Sequence, residues 1–194
     1  MRRRPPIWTI GHSTHDAAKF VALVADGQIE VVADVRSQPF SRFNAQFTRE
    51  PLRKSLHAAG IRYVFLGNEL GGRPPEPEFY DSEGHVLYGA VSETERFNTG
   101  LARLVEGASQ FRVAMMCSEE DPTHCHRRLL ITRVLVGQGI EVRHIRGDGS
   151  EILEADLAVE RDPVQAPLFG EEALSWRSTQ SVLRNTARRA FSKS

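Results

Sequence analysis

The chain has 194 residues, and 40% of them are hydrophobic, which suits one globular domain of ordinary size with an apolar core. Its 25 basic residues balance its 25 acidic residues, so the charge of the whole chain excludes a general attraction to nucleic acid, anionic membranes or acidic substrates. Its apolar runs are all shorter than the roughly 18 residues that span a bilayer, and the run after the basic start is too short for a signal peptide.

The first part of the chain predicts three strands separated by helices. Phe20, Leu23 and Val24 follow the first apolar run at helical spacing. The β-branched run at residues 30–35 is typical of a strand that is buried on both faces. In chain order, the predicted elements are a strand at 7–10, a helix at 16–25, a strand at 30–35, a helix that begins at Thr48 or Glu50 and ends at Gly60, and a strand at 61–66.

The second part of the chain begins with a predicted long loop, because residues 67–89 are rich in glycine and proline. The elements predicted after it are a helix at 92–106, a strand at 111–116, a helix that is capped by Asp121 and Pro122 and stops near 137–139, and a strand at 141–145. From Ala173 onward every charged residue is basic: Arg177, Arg184, Arg188, Arg189 and Lys193.

The alternation of strands and helices predicts an α/β fold. Right-handed crossovers between parallel strands place helices on both faces, so we expect a mainly parallel open sheet of about five strands. We expect residues 1–155 to form this single domain and residues 156–194 to form a basic C-terminal tail or helix. The two cysteines are too few for a disulfide framework, which favours a reducing, cytoplasmic location.

Polar residues follow four of the predicted strands. In open α/β sheets, ligands bind outside the carboxyl ends of the strands. The four segments are Gly11-His12-Ser13, Asp34-Val35-Arg36, Gly67-Asn68-Glu69 and Cys117-Ser118-Glu119. Any one of them is explained equally well as a polar loop or a helix cap. Their convergence at one edge of the sheet favours a functional pocket.

The segment from Cys117 to Arg127 admits three interpretations. Cys117, Cys125 and either His124 or His126 supply soft metal ligands, although their spacing matches none of the short paired-cysteine zinc patterns. Cys117 also suits a nucleophile, because a helix start and nearby histidines favour its thiolate, whereas the acidic residues that follow it oppose this. Alternatively, either cysteine is a small buried core residue.

Other residues in these loops suit substrate binding or proton transfer. Arg127, next to Arg128 near a predicted helix start, suits a clamp for phosphate or carboxylate. Asp34 and Arg36 point to the same face of a strand and suit an ion pair that positions substrate or orders the loop. Gly71 and Gly72 suit a lid that Tyr80 and Tyr88 would line, and His12 suits an acid or base near neutral pH.

These residues together resemble those of the domain-of-unknown-function family 488. The resemblance covers residues 7 to 147 and is carried by Thr9-Ile10-Gly11-His12-Ser13, Asp34-Val35-Arg36 followed by Pro39, Leu70-Gly71-Gly72, and Cys117-Ser118-Glu119 leading into Cys125-His126-Arg127. The resemblance implies a compact α/β fold with a conserved pocket and supplies no established reaction.

The leading hypothesis is an enzyme that acts on a small polar, anionic or nucleotide-like substrate by cysteine-based transfer or hydrolysis. The candidate catalytic residues are Cys117, His12, Asp34 and Glu119, and the candidate substrate-binding residues are Arg36, Ser13, Glu69, Gly71, Gly72, His126 and Arg127. The first alternative is a nucleic-acid-binding or accessory module that uses Arg2 to Arg4 and the basic tail. The second is a small thiolate metal site at Cys117, Cys125 and His126. The sequence predicts no membrane partner and leaves the cofactor and the oligomeric state open.

Overall fold

The computed structural model describes residues 4–41, 43–161 and 176–181, and these form one sheet covered by helices. The strands are β1 (Ile7–Gly11), β2 (Val31–Asp34), β3 (Arg62–Phe65), β4 (Val113–Cys117), β5 (Val142–Ile145) and β6 (Glu151–Leu153). They lie in the order β3-β2-β4-β1-β5-β6, and only the β5–β6 pair is antiparallel. The predicted α/β class is therefore confirmed, with one additional short strand at an edge.

The helices of the described residues are α1 (Ala17–Asp26), α2 (Arg49–Ala58), α3 (Gly67–Leu70), α4 (Tyr88–Ser92), α5 (Glu95–Gln110), α6 (Arg133–Gly137) and α7 (Glu154–Arg161). A π-helical turn at Arg127–Thr132 leads into α6. The segment predicted as a long loop contains α3 and the start of α4. Helix α5 begins later than predicted because the Thr94 side chain caps it, accepting a hydrogen bond from the Phe97 amide.

Helices cover both faces of the sheet. On one face, Phe20 of α1 and Leu52 of α2 pack against Val32 of β2. On the other face, Leu101 of α5 and Leu130 pack in a second buried cluster. Every residue of β1, β2 and β4 is buried, whereas the edge strand β3 alternates between exposed and half-buried residues. The continuous apolar runs of the central strands thus reflect burial on two sides.

Strand β4 occupies the position where chain connections diverge. The chain leaves β1 and β2 toward the face of α1 and α2, and it leaves β4 toward the face of α5 and α6. A crevice forms at the carboxyl ends where neighbouring connections go to opposite faces. Cys117, the last residue of β4, lies at this point and is paired in register with Gly11 of β1.

The described part of the C-terminal segment packs on the domain. The indole Nε1 of Trp176 donates a hydrogen bond to the Leu129 carbonyl oxygen at 2.6 Å, and the Ser178 amide donates to the Val86 carbonyl oxygen at 2.9 Å. Of the basic residues of the predicted nucleic-acid surface, the structure describes Arg4 and Arg177. The others lie outside the described residues: Arg2, Arg3, Arg184, Arg188, Arg189 and Lys193. The helices that the structure describes include none that is both long and apolar enough to cross a membrane.

Candidate metal centre

Three side chains with soft ligand atoms meet at the end of β4. Cys117 ends the strand, and residues 118–124 turn back so that Cys125 and His126 lie directly before the π-helical turn. The two sulfur atoms and one ring nitrogen of His126 all lie within 4.8 Å of one another. Both cysteines are free thiols and buried, with exposures of 5% for Cys117 and 2% for Cys125. We call these three residues the thiol–imidazole cluster.

The ring of His126 is held in one orientation. Its Nε2 lies 2.9 Å from the Val35 carbonyl oxygen, and because a carbonyl oxygen only accepts, Nε2 carries the hydrogen. Nδ1 therefore faces the sulfur atoms, at 3.7 Å from Cys117 and 3.9 Å from Cys125. Gly72 packs on the same ring, since a Cβ atom there would lie 2.5 Å from the His126 Cγ. This close contact is a physical reason for glycine at position 72.

The distances from the His126 Nδ1 to the two sulfur atoms fit a tetrahedral metal ion. Metal–sulfur and metal–nitrogen bonds of about 2.3 and 2.0 Å at a tetrahedral angle place the two ligand atoms about 3.5 Å apart. The observed separations of 3.7 and 3.9 Å are close to this value. In metal sites, the second ring nitrogen of a histidine ligand commonly donates to a carbonyl or carboxylate, as Nε2 of His126 does here.

Glu119 lies on the exposed side of the cluster. Its Oε2 accepts a hydrogen bond from the Cys117 thiol at 3.4 Å, but its carboxylate is not within 4.8 Å of all three ligand atoms. The side chain is exposed, whereas both cysteines are buried. A metal ion in the cluster would thus have three protein ligands, and the exposed Glu119 carboxylate would lie near it without being a ligand.

Without a metal ion, the cluster favours one thiolate. The neighbouring Cys125 sulfur, together with burial, raises the pKa of Cys117. Burial opposes ionisation of Cys125, but the Cys117 thiol, Arg127 and His126 hold the pKa of Cys125 well below its ordinary value. Burial lowers the pKa of His126, and its contact with Cys125 outweighs this and raises it. These directions favour a protonated Cys117, an ionised Cys125 and a protonated His126.

Arg127 lies beneath the cluster and is fully buried. Its guanidinium donates to the carbonyl oxygens of Glu119 and Glu120, the latter at 2.7 Å, and its Nε lies 3.4 Å from the Thr9 hydroxyl. These partners are uncharged, so the cation fixes the main chain of the Glu119 loop and is not directed toward solvent. The sequence suggested that Arg127 clamps substrate, and in the structure its donors are used by the protein.

Asp34, Arg36 and His12 form a second cluster, which we call the arginine–histidine network. Arg36 forms two hydrogen bonds to the Asp34 carboxylate, at 2.9 and 2.7 Å, and its Nη1 lies 3.2 Å from the His12 Nε2. The Nδ1 of His12 donates to the Ser13 carbonyl oxygen at 2.8 Å, so Nε2 accepts from Arg36. The His12 ring stacks on Phe47 with centroids 4.2 Å apart. The network orders the end of β2, next to the Val35 carbonyl that holds His126.

His12 is expected to reduce stability in mild acid. Burial, and secondarily the Arg36 charge, lowers its pKa from 6.5 to about 4. The unfolded chain therefore takes up this proton first, and stability falls as the pH decreases from about 6.5 through about 4, by about 3 kcal/mol in total. Urea unfolding across this range is expected to show a smaller pH dependence for His12→Gln than for the wild type. The matched control is His57→Gln, at an exposed position of α2, and parallel profiles for all three proteins would contradict the expectation.

The remaining candidate residues have separate surroundings. Glu69 forms an ion pair with Arg103 of α5, away from the cysteine thiols. Gly71 packs against Ser37, because a Cβ atom there would lie 2.6 Å from its hydroxyl oxygen. Ser13 adopts a left-handed backbone conformation with φ of 49°. The structure thus brings together the ends of β1, β2 and β4 and directs Glu69 toward α5.

Two tyrosines also belong to this part of the molecule. The Tyr63 hydroxyl donates to Asp34 at 2.7 Å, and the buried Tyr88 belongs to the same apolar cluster as both cysteines. The sequence named Tyr88 as a residue of the predicted lid without indicating this packing. It contains no signal for the contact of Tyr63, which lies in an edge strand.

A family model described as domain of unknown function DUF488 matches residues 16–134. The matched range covers more than half of the chain and includes β2, β3, β4 and the thiol–imidazole cluster, whereas His12 and Ser13 precede it. Searches of the curated proteins and of the solved structures each found no match.

Proposed function

The chain belongs to the family of domain of unknown function DUF488, and we propose that it is an enzyme with a thiophilic divalent metal ion, such as Zn²⁺, bound by Cys117, Cys125 and His126. The observation that carries this proposal is the orientation of His126. Its Nε2 donates to Val35 while Nδ1 points between two buried sulfur atoms. A histidine that only filled the core would not need two thiols at ligand distance.

The ligand set supports hydrolysis as the reaction class. A divalent metal ion with three protein ligands and one open position acts as a Lewis acid on a carbonyl or related group. Two cysteines, one histidine and a glutamate that is not a ligand also form the centre of zinc deaminases, which remove an amino group from a nucleobase. This likeness of ligand sets supports a small polar or nucleotide-like substrate for the present chain.

The protein's own residues have separate roles in this proposal. The carboxylate of Glu119, on the exposed side of the cluster, is placed to accept a proton from water and to return it to a leaving group. Arg127 holds the main chain of the Glu119 loop and places a positive charge near the two thiolates. Arg36 and Asp34 hold the end of β2, so the Val35 carbonyl stays in position for His126.

Cysteine chemistry without metal is a second candidate function, because the same geometry pairs the Cys125 thiolate with an imidazolium. In that function Cys125 is the nucleophile and Cys117 is the neighbouring thiol, which reverses the role expected for Cys117 from sequence. The two free cysteines suit the reducing cytoplasm under either function.

Metal analysis tests the proposal directly. We expect protein purified without chelator to contain about one metal ion per chain, and Co²⁺ reconstitution to give the intense absorption of thiolate–cobalt bonds. Loss of a residue that only hydrogen-bonds a metal ligand lowers metal affinity by about 10- to 100-fold. Cys125→Ser and His126→Gln remove a ligand itself, so each is expected to weaken metal binding by at least about 100-fold.

The matched control is His124→Gln, since His124 is exposed and lies outside the cluster. This variant is expected to bind metal like the wild type. Wild-type protein that contains no metal and gives no thiolate–cobalt absorption would contradict the proposal. If alkylation of that metal-free protein then labels Cys125 before Cys117, cysteine chemistry is favoured instead.

A further inference from the structure

Several cations in the loops that follow the strands are already used by the protein. Arg36 binds Asp34, Arg127 binds main-chain carbonyls, and Arg146 forms two hydrogen bonds to Glu120. Arg73 differs, because within the described residues its guanidinium has no hydrogen bond or ion pair, and its side chain is exposed. Its positive charge is therefore available to a ligand.

The main chain of Arg73 is fixed beside the cluster. Its amide donates to the Ser37 hydroxyl at 2.9 Å, at the end of β2. The two preceding glycines pack closely, Gly71 on Ser37 and Gly72 on the His126 ring. A loop with these contacts holds its position, so the Arg73 side chain begins next to a proposed metal ligand.

Tyr88 supplies a second unused donor in the same place. Its side chain is 3% exposed and packs in the cluster that contains Cys117 and Cys125. Within the residues that the structure describes, its hydroxyl has no hydrogen-bond partner, and its oxygen is not among the fully buried atoms that lack one, so the tip of this buried side chain is accessible.

The segment before Tyr88 pairs with the loop that begins at Arg73, since the Leu87 amide donates to the Phe79 carbonyl oxygen at 2.8 Å. Helix α4, which begins with Tyr88, packs against the π-helical turn that directly follows His126. Tyr88 therefore lies between the Arg73 loop and the cluster. Burial raises the pKa of Tyr88, Cys125, Cys117 and Glu119 raise it further, and Arg73 opposes them, which agrees with this position.

We propose that the Tyr88 hydroxyl and the Arg73 guanidinium form an anion-binding subsite beside the thiol–imidazole cluster, and that the substrate carries a phosphate or carboxylate group there. This inference rests on the proposed function, since it specifies that the substrate of the proposed enzyme is an anion. A guanidinium and a hydroxyl together satisfy two oxygen atoms of such a group. Neither side chain is proposed to take part in bond breaking.

Anion titration of the metal-loaded full-length protein by calorimetry tests the subsite. Inorganic phosphate and acetate are titrated separately, which distinguishes a phosphate from a carboxylate preference. Arg73→Gln is expected to weaken binding of the preferred anion at least about tenfold, and Tyr88→Phe, which removes one oxygen without a partner, several-fold. The metal content of both variants is expected to equal that of the wild type.

Two variants serve as controls. Arg103→Gln removes an arginine that is paired with Glu69, and Tyr80→Phe removes a hydroxyl that donates to the Pro74 carbonyl oxygen. Both are expected to bind the anion like the wild type. Two results would overturn the subsite and leave the metal measurement unaffected. One is that the wild-type protein binds neither anion at millimolar concentration. The other is that wild type, Arg73→Gln and Tyr88→Phe bind the anion with equal affinity. If the wild-type protein takes up no metal and gives no thiolate–cobalt absorption, but still binds the anion in a way that depends on Arg73 and Tyr88, the subsite is retained and the metal centre is rejected.

Discussion

Replacement of Asp34 by alanine is expected to destabilise the protein by about 3 to 5 kcal/mol, because it leaves the Arg36 guanidinium buried without its counter-ion. Asp34 is fully buried and Arg36 is 4% exposed, so solvent screens this pair very little. The carboxylate also accepts hydrogen bonds from the Tyr63 hydroxyl and the Arg36 amide. Urea unfolding at neutral pH, followed by circular dichroism, measures the loss.

Two variants separate the buried charge from the loss of a side chain. Asp34→Ala combined with Arg36→Met removes both charges and is expected to recover part of the stability, as for other buried ion pairs replaced by apolar residues. Glu50→Ala removes the acid of the exposed Arg53–Glu50 pair and is expected to leave the unfolding midpoint unchanged. An Asp34→Ala protein as stable as the wild type would show that the pair does not stabilise the fold.

Replacement of Arg127 by methionine is expected to cost at least about 3 kcal/mol, because it leaves two carbonyl oxygens in the Glu119 loop without their donor. Arg127 is the largest fully buried side chain of the described residues, and its partners are the Glu119 and Glu120 carbonyls and the Thr9 hydroxyl. Methionine retains most of the apolar volume, so the expected loss reflects the polar contacts. The free energy of urea unfolding is the measurement.

Arg128→Met is the matched control, since Arg128 follows directly in the same turn but is partly exposed and pairs with Glu154. A smaller loss of stability is expected for this variant. The same Arg127→Met protein is also expected to bind metal more weakly, because the cation near the Cys117 and Cys125 sulfurs is removed. Equal stability of the two variants would indicate that the Glu119 loop does not depend on Arg127.

Much of the fold was predictable from local sequence pattern. The runs at 7–10, 30–35 and 111–116 gave central strands because a strand covered on both faces is apolar at nearly every position. The edge strand β6 was missed because Glu151-Ile152-Leu153 is too short to show a period, and its pairing with β5 decides its conformation. Helix α3 was missed because the glycines near it suggested a loop, whereas its packing against α5 stabilises it.

The location of the site followed from the sequence, and the roles of its residues did not. Once a parallel sheet is predicted, the residues after its strands must lie at one edge, which identified His12, Asp34, Arg36 and Cys117. Which side chains face one another depends on the path of residues 118–124, which no local pattern specifies. The sequence offered Cys117, Cys125 and His126 as one alternative among three interpretations of this segment. That these three side chains meet, and that His124 stays outside, depends on the tertiary structure.

The sequence by itself determined the α/β class, the edge of the sheet that carries the polar residues and the chemical types present there. The tertiary structure decided which of those residues are free to act. Arg127 and Arg36 have the same charge as Arg73, but burial requires their donors to bind protein oxygen atoms, and only Arg73 of the three remains exposed and unpaired within the described residues. The reason is physical: a buried polar group must be satisfied by whatever the fold places within hydrogen-bond distance, and that placement depends on contacts remote in sequence.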